Sequence, residues 1–169
     1  MQIPIYKLKH ALELVDPAVG RGKLTLPILA NVLFQGGKLH TTNLELSISA
    51  DLAEASGDAF TLPYKTLADV LRHIPNAEVA TIDHDGGKGT LTSGRTRVTL
   101  FSTDAGDFPP LPEVPGEGEL VDGDRFVKAL VGAVPYTATD KARPVLQAVC
   151  AALGDPVSVA GGDGFRLAW

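Results

Sequence analysis

Apolar residues recur along this chain with two different periods. Leu8, Ala11, Leu12 and Val15 fall at i, i+3, i+4 and i+7, a single stripe of 3.6-residue period that predicts an amphipathic helix over roughly Tyr6 to Val15. Leu67, Val70, Leu71 and Ile74 draw the same stripe on a helix from Tyr64 to Ile74, and Phe126, Ala129, Leu130 and Ala133 draw it again from Asp124 to Val134. Each stripe lies 59 positions beyond the previous one. Two equal offsets across four positions mark an internal repeat, and a repeat governs how the rest of a chain is read.

The contents of each period agree. A short extended piece leads into each helix: Gln2 to Ile5, Ala59 to Leu62 and Glu119 to Val121. Three runs of strand character follow: Ile28 to Gln35, Lys38 to Asn43 and Leu44 to Ala50, then Glu78 to Asp83, Lys88 to Thr92 and Arg97 to Phe101, then Val145 to Leu153, Val157 to Ala160 and Phe165 to Trp169. Gly36-Gly37, Asp85-Gly86-Gly87, Ser93-Gly94 and Gly161-Gly162-Asp163-Gly164 supply the connecting turns. Each unit therefore reads β-α-β-β-β, and the fold class is α+β. The run Phe108-Pro109-Pro110-Leu111-Pro112-Glu113-Val114-Pro115 has little capacity for helix or sheet and is expected to be a linker. The expected organisation is two units, 1–59 and 60–118, and a third, 119–169, whose 51 residues stop eight short of the period within its last strand.

Composition narrows the class. A chain of 169 residues has room for about one domain and a fraction, and 44% apolar with 21% charged residues excludes collagen, coiled coil and wholesale disorder. A single cysteine, Cys150, excludes a disulfide framework, and its place in the run Val149-Cys150-Ala151 predicts a buried, inert thiol. Met1-Gln2-Ile3-Pro4 lacks the apolar core of a secretion signal, and no run approaches the roughly 18 apolar residues of a membrane helix, so a soluble, cytoplasmic protein without a membrane partner is expected. Fifteen basic against twenty acidic residues give a net charge of −5, which argues against a domain coated by nucleic acid and leaves room for a local basic stripe. Aromatic residues, at 6%, are too few for a base-stacking platform.

Candidate chemistry is mostly excluded by spacing. Gly20-Arg21-Gly22-Lys23 lacks the upstream glycine and the following Ser or Thr of a phosphate loop, since Pro17 and Leu24 stand there. Asp83-His84-Asp85-Gly86-Gly87 begins like a calcium loop, but its twelfth position is Gly94 rather than a bidentate glutamate, so a charged hairpin tip is expected. His10, His40, His73 and His84 are too dispersed for metal-ligand spacing, and no nucleophile elbow occurs. Asp104 and Asp107 read as loop acids rather than an acid/base pair. No catalytic residue, metal or cofactor is expected. Cations are the remaining feature: Lys9, Arg72 and Lys128 lie off the apolar stripes, and Arg21 and Lys23 follow the first helix. Helices turned to one side of a closed assembly would sum these charges into a sequence-blind surface for duplex phosphates.

The stretch Gly22-Lys23-Leu24-Thr25-Leu26-Pro27-Ile28-Leu29-Ala30-Asn31-Val32-Leu33-Phe34 resembles the signature after the first helix of the bacterial DNA polymerase III beta subunit, the ring-shaped sliding clamp. Thr42-Asn43-Leu44-Glu45, Ser93-Gly94-Arg95-Thr96-Arg97, Asp107-Phe108-Pro109, Arg143-Pro144-Val145-Leu146 and Asp163-Gly164-Phe165-Arg166-Leu167-Ala168 resemble further motifs of that family in the same order. The resemblance implies the DNA clamp fold, built from β-α-β-β-β half-domains with helices on one face of antiparallel sheets. It makes 1–118 a complete clamp domain and 119–169 the first half of a second, with a further half and a third domain absent.

The resemblance also implies sites. Lys9, Arg21, Lys23, Arg72 and Lys128 would touch duplex DNA, Lys23 standing where the family has an arginine. Arg143, Leu146, Gly164, Phe165, Arg166 and Leu167 match the groove that receives peptides of the replicative polymerase and clamp loader. Phe165 replaces the family's histidine there, and Gly162 replaces a threonine. Val70, Ile74, Arg97 and Val98 match the subunit interface that closes the homo-oligomeric ring. Three readings stand: a piece of a sliding clamp acting as processivity factor, a short clamp-like protein whose odd half pairs with a second copy, and a clamp-fold protein-interaction module that does not encircle DNA.

Overall fold

The computed structural model describes residues 1–112, 118, 120–154 and 156–169. The chain divides into two compact units, Met1–Glu113 and Val114–Trp169. Glu113, Val114 and Pro115 of the expected linker and Glu119, at the expected boundary and in the third lead-in strand, lie outside the described residues.

Unit 1 runs β1 (Gln2–Pro4), α1 (Ile5–Val15), β2 (Asn31–Gln35), β3 (Lys38–Thr42), β4 (Ser47–Asp51), β5 (Phe60–Pro63), α2 (Tyr64–Arg72), β6 (Val79–Asp85), β7 (Lys88–Ser93) and β8 (Thr96–Phe101). A proline in extended conformation, Pro4 or Pro63, ends the lead-in strand and starts each helix 59 residues apart. Two antiparallel four-stranded sheets form, in the orders β4-β3-β2-β5 and β1-β6-β7-β8. The lead-in strands are exchanged: β5 pairs with β2 of the first half-repeat, and β1 pairs with β6 of the second. Neither half can then leave without breaking both sheets.

The core of unit 1 lies between the helices and the sheets. Leu8, Ala11, Leu12 and Val15 of α1 and Leu67 and Leu71 of α2 are buried against Val32, Phe34, Leu39, Ile82, Leu91 and Leu100 from the strands. Full burial of each large aliphatic side chain contributes about 1.5–3 kcal/mol. Phe60 on β5 stacks on Phe34 at 4.6 Å and on His84 at 4.8 Å, so it ties the two sheets together. Asn31 donates to Thr61 and Thr103, and the Thr41 hydroxyl donates to the carbonyl of Val15 at 2.6 Å, so buried polar groups at the sheet ends and the end of α1 are satisfied.

Unit 2 carries α3 (Gly123–Ala133), β9 (Cys150–Ala152), β10 (Ser158–Gly162) and β11 (Leu167–Ala168), the strands forming one antiparallel sheet in the order β11-β10-β9. Asp122 starts the helix, its side chain accepting from the amide of Arg125. Only Ala133, Ala138 and Gly161 are buried among the described residues of this unit.

Four expectations need correction. Ile28–Ala30 and Val145–Gln147 belong to 3₁₀ turns, Pro27–Ala30 and Pro144–Gln147, because a proline at the first position fixes a helical φ. Leu44 lies in a turn at φ 74° rather than in a strand, held by Asn43, whose Oδ1 accepts from the amides of Glu45 and Leu46. Gly161 and Gly162 are strand residues, and the turn begins at Asp163. Cys150 is exposed, because β9 is an edge strand with all three residues exposed.

Candidate nucleic-acid and peptide interfaces

In unit 1, α1 and α2 run side by side, and their polar sides meet along a groove of about 410 Å³ lined by Lys9, Glu13, Tyr64, Ala68, Arg72 and Asn76. Two of the expected DNA-contacting cations, Lys9 and Arg72, thus share one groove. Lys9 Nζ donates to the carbonyl of Ile74 at 2.8 Å and to Asn76 Oδ1 at 2.7 Å, so it closes the C-terminal end of α2. Arg72 donates to Asp69 Oδ1 at 2.9 Å, one turn away on the same helix.

Arg21, in the loop after α1, donates to Asp16 at 2.5 Å. That hydrogen bond, seconded by Tyr64, holds the Asp16 carboxyl below the usual carboxylate range. Tyr64 donates its hydroxyl to the carbonyl of Leu12 at 3.2 Å, and burial pushes the phenol well above its ordinary value. Asp16 and Tyr64 are polar partners that helical stripes do not single out, since one closes the helix and the other opens the next. Lys23 sits in the same loop, after Gly22 at φ 77°, exposed and with no ion pair among the described residues. Lys128, on α3 of unit 2, is likewise exposed and without an ion pair among the described residues.

The residues of the expected peptide groove come together in unit 2. Leu146 lies in the 3₁₀ turn Pro144–Gln147, directly after Arg143, and Arg143 Nη2 donates to the carbonyl of Asp163 at 3.0 Å. That bond joins the Leu146 turn to the turn that carries Gly164, Phe165 and Arg166. Gly164 adopts φ 91°, a conformation that calls for glycine, and a Cβ there would have to displace only the flexible end of Arg143, 2.6 Å away at Nη1. Phe165 and Leu167 stand out at 93% and 73% exposure. The cationic rim is already compensated: Arg166 donates to Asp163 through both Nε and Nη2, at 2.9 and 2.7 Å, and lies 5.9 Å from the centre of the Tyr136 ring. Backbone amides of Arg166 and Phe165, then the Arg166 side chain, pull the Asp163 carboxyl down to about 2.

The expected subunit interface clusters at α2 and β8. Strand β8 is the free edge of its sheet and carries exposed Arg97 and half-buried Val98, while Val70 on α2 packs partly against the same core. Ile74, at 3% exposure, belongs to the core and backs this surface rather than presenting a side chain to a partner. Phe101, on the same edge strand, is 75% exposed and lies beyond the motif that pointed to Arg97 and Val98. Among the described residues no group of three or more His, Cys, Asp or Glu side chains is placed to hold a metal, and no helix is long and apolar enough to cross a membrane.

Comparison with known proteins converges on one family. The model of the DNA polymerase III beta subunit, N-terminal domain, matches residues 2–112. The beta sliding clamp of Micrococcus luteus is 34% identical over 130 residues, 76% of this chain and 41% of its own, and that of Synechocystis is 34% identical over 179 aligned positions, 95% and 45% respectively. The crystal structure of the DNA polymerase III subunit beta from Pseudomonas aeruginosa superposes with a TM-score of 0.82 at 27% identity, over 99% of this chain and 47% of that one. The chain spans less than half the length of these two curated relatives. Together with the α+β arrangement of exchanged half-repeats, these matches mean that the chain belongs to the DNA polymerase III beta subunit family.

Proposed function

We propose that this chain serves as part of a sliding clamp, a cytoplasmic, non-enzymatic processivity factor that encircles duplex DNA and holds the replicative polymerase by topology. The observation that carries this reading is the family match over 2–112, the same residues that form two interlocked half-repeats with α1 and α2 side by side. In this reading 1–118 is a complete clamp domain and 119–169 the first half of a second.

A closed ring cannot dissociate sideways, so weak phosphate contacts suffice and leave the duplex free to slide. Lys23 and Lys128 supply them directly. Arg21 and Arg72 hold exposed carboxylates, and such surface pairs contribute only about 0–1 kcal/mol, so a phosphate can replace Asp16 or Asp69 at little cost. Lys9 is committed to the end of α2 and contributes mainly through its field. Phe165 and Leu167, rimmed by Arg143 and Arg166, offer an apolar anchor point for a polymerase or clamp-loader peptide around Leu146 and Gly164. Val70, Arg97 and Val98, backed by Ile74, are the ring-closing surface of a homo-oligomer.

Fluorescence anisotropy with a labelled duplex tests the DNA reading. Affinity falls as salt rises from about 50 to about 200 mM, and removing Lys23 and Lys128 together lowers the salt slope by up to about 2. Unchanged affinity at low salt after joint neutralisation of Lys9, Lys23, Arg72 and Lys128 overturns it. The second reading is a clamp-fold module that binds protein and not DNA. Its support is the internal pairing of Arg21 and Arg72 in a chain of net charge −5.

A further inference from the structure

We propose, resting on the DNA reading above, that Asp16 is an internal stand-in for a duplex phosphate. It holds Arg21 in the free protein and yields it when DNA arrives, so binding exchanges one anion for another and Asp16 restrains the affinity.

Asp16 directly follows α1, where its backbone is still helical and its amide donates to the carbonyl of Leu12. The C-terminal end of a helix carries partial negative charge and disfavours a carboxylate. Cations hold Asp16 there instead. Arg21 Nη2 donates to Asp16 Oδ2 at 2.5 Å and reaches the Asp16 carbonyl at 3.4 Å, so one guanidinium grips both side chain and main chain. The Arg21 hydrogen bond, then the Tyr64 hydroxyl and the charge of Arg72, keep the Asp16 carboxyl below its ordinary range. A guanidinium at hydrogen-bonding distance, a phenol and a second guanidinium in the background suit a phosphate oxygen as well as a carboxylate. The chain's own anion occupies the place. Asp69, by contrast, meets Arg72 at 2.9 Å within one helix, an ordinary exposed pair.

The loop that carries Arg21 is able to let go. Gly20-Arg21-Gly22-Lys23 fails as a nucleotide phosphate loop, yet its two glycines play different parts. Gly20 is pinned: its amide donates to the carbonyl of Leu29 at 2.8 Å, and a Cβ there would lie 2.7 Å from the Leu29 side chain. Gly22, at φ 77°, faces open space. Arg21 therefore stands between a fixed base and a free pivot, with exposed Lys23 beyond it. Tyr64 and Arg72, which act on Asp16, also line the groove between α1 and α2, so the pair belongs to the surface that carries the expected DNA contacts of unit 1.

A double-mutant cycle on the 169-residue chain, read by fluorescence anisotropy with a labelled duplex at about 50 mM salt, tests the exchange. Asp16→Asn should tighten binding about 5-fold. Asp85→Asn, the same change of charge at an exposed position on the hairpin of β6 and β7, should alter it by less than about 2-fold. Arg21→Gln should weaken binding at least about 3-fold more in the Asp16→Asn protein than in the parent, because only the freed guanidinium reaches phosphate without first leaving Asp16. Asp16→Glu, which keeps the carboxylate, should stay within about 2-fold of the parent. A parent chain that binds duplex and an additive cycle overturn this proposal and leave the DNA reading standing. Asp85→Asn tightening binding as much as Asp16→Asn does the same. Parent and Asp16→Asn chains that both fail to bind duplex at about 20 mM salt overturn the DNA reading, and the role of Asp16 with it.

Discussion

Helices α1 and α3 carry the same stripe 118 residues apart, and they meet opposite fates. Leu8, Ala11, Leu12 and Val15 are all at 3% exposure or less, whereas among their counterparts Phe126, Ala129, Leu130 and Ala133 only the last is buried. The strands repeat the contrast: Val32 is at 0%, and Cys150, 118 positions on, is exposed. The local sequence signal is equal in the two places. Burial follows from whether a second half-repeat closes over the first, so an amphipathic stripe states which face seeks cover and not whether cover is present.

The largest expected effect compares the helices directly. Leu8→Ala removes a fully buried side chain and should cost unit 1 about 3 kcal/mol, while Phe126→Ala in the dilute chain should cost unit 2 about 1 kcal/mol. Amide hydrogen exchange in urea, resolved between α1 and α3, separates the two. Equal losses would remove the contrast.

A smaller effect compares two turns built on one plan. Asn43 Oδ1 accepts from the amides of Glu45 and Leu46, and Asp163 Oδ1 accepts from those of Phe165 and Arg166, 120 residues on. The residue after each adopts positive φ, Leu44 at 74° and Gly164 at 91°. A left-handed leucine costs about 1–2 kcal/mol, part of which glycine returns as unfolded-chain entropy, so Leu44→Gly should stabilise unit 1 by about 0.5–1 kcal/mol. Gly164→Ala should destabilise its turn through its positive φ. Thermal melts of both variants check the opposite signs.

Acid separates the units by the pH at which each loses stability. Burial lowers the pKa of His40, whose ring nitrogens meet Ser49 Oγ at 2.7 Å and the carbonyl of Gln35 at 3.2 Å. The unfolded chain therefore takes up that proton first, and the stability of unit 1 should begin to fall as pH drops below 6.5. Asp163 is also shifted down, by hydrogen bonds rather than burial, from 3.8 to about 2, so its contribution to unit 2 is complete above pH 3.8 and is lost as pH falls from there towards 2. Melting temperature against pH, with and without His40→Gln, reads the first step, and amide hydrogen exchange of β10 and β11 against pH reads the second.

The three helices, the 59-residue period and most strands are legible in the sequence because each rests on local periodicity. Leu44 and the Ile28–Ala30 segment are not, since an Asx turn and a proline-led 3₁₀ turn overrule apolar runs that read as extended. Cys150 is misread for a different reason: an apolar run predicts burial only where another layer covers the strand. Among the site residues, the two motifs around Arg143 and Asp163, 20 positions apart, lie together in the fold, Arg143 donating to the carbonyl of Asp163. The apolar stripe already turns Ile74 inward, whereas the motifs do not reveal that Asp163 neutralises Arg166 or that Lys9 is spent on the end of α2. Those facts depend on where neighbouring chain segments turn.

Hydrogen exchange of the dilute 169-residue chain tests the central claim, that unit 1 is a closed pair of half-repeats and unit 2 an open one. Amides of α1, α2 and β2 should exchange at least about 100-fold more slowly than those of α3 and β9, because opening the first set requires global unfolding of unit 1. Equal protection of α1 and α3 in a chain that is monomeric by mass would contradict it.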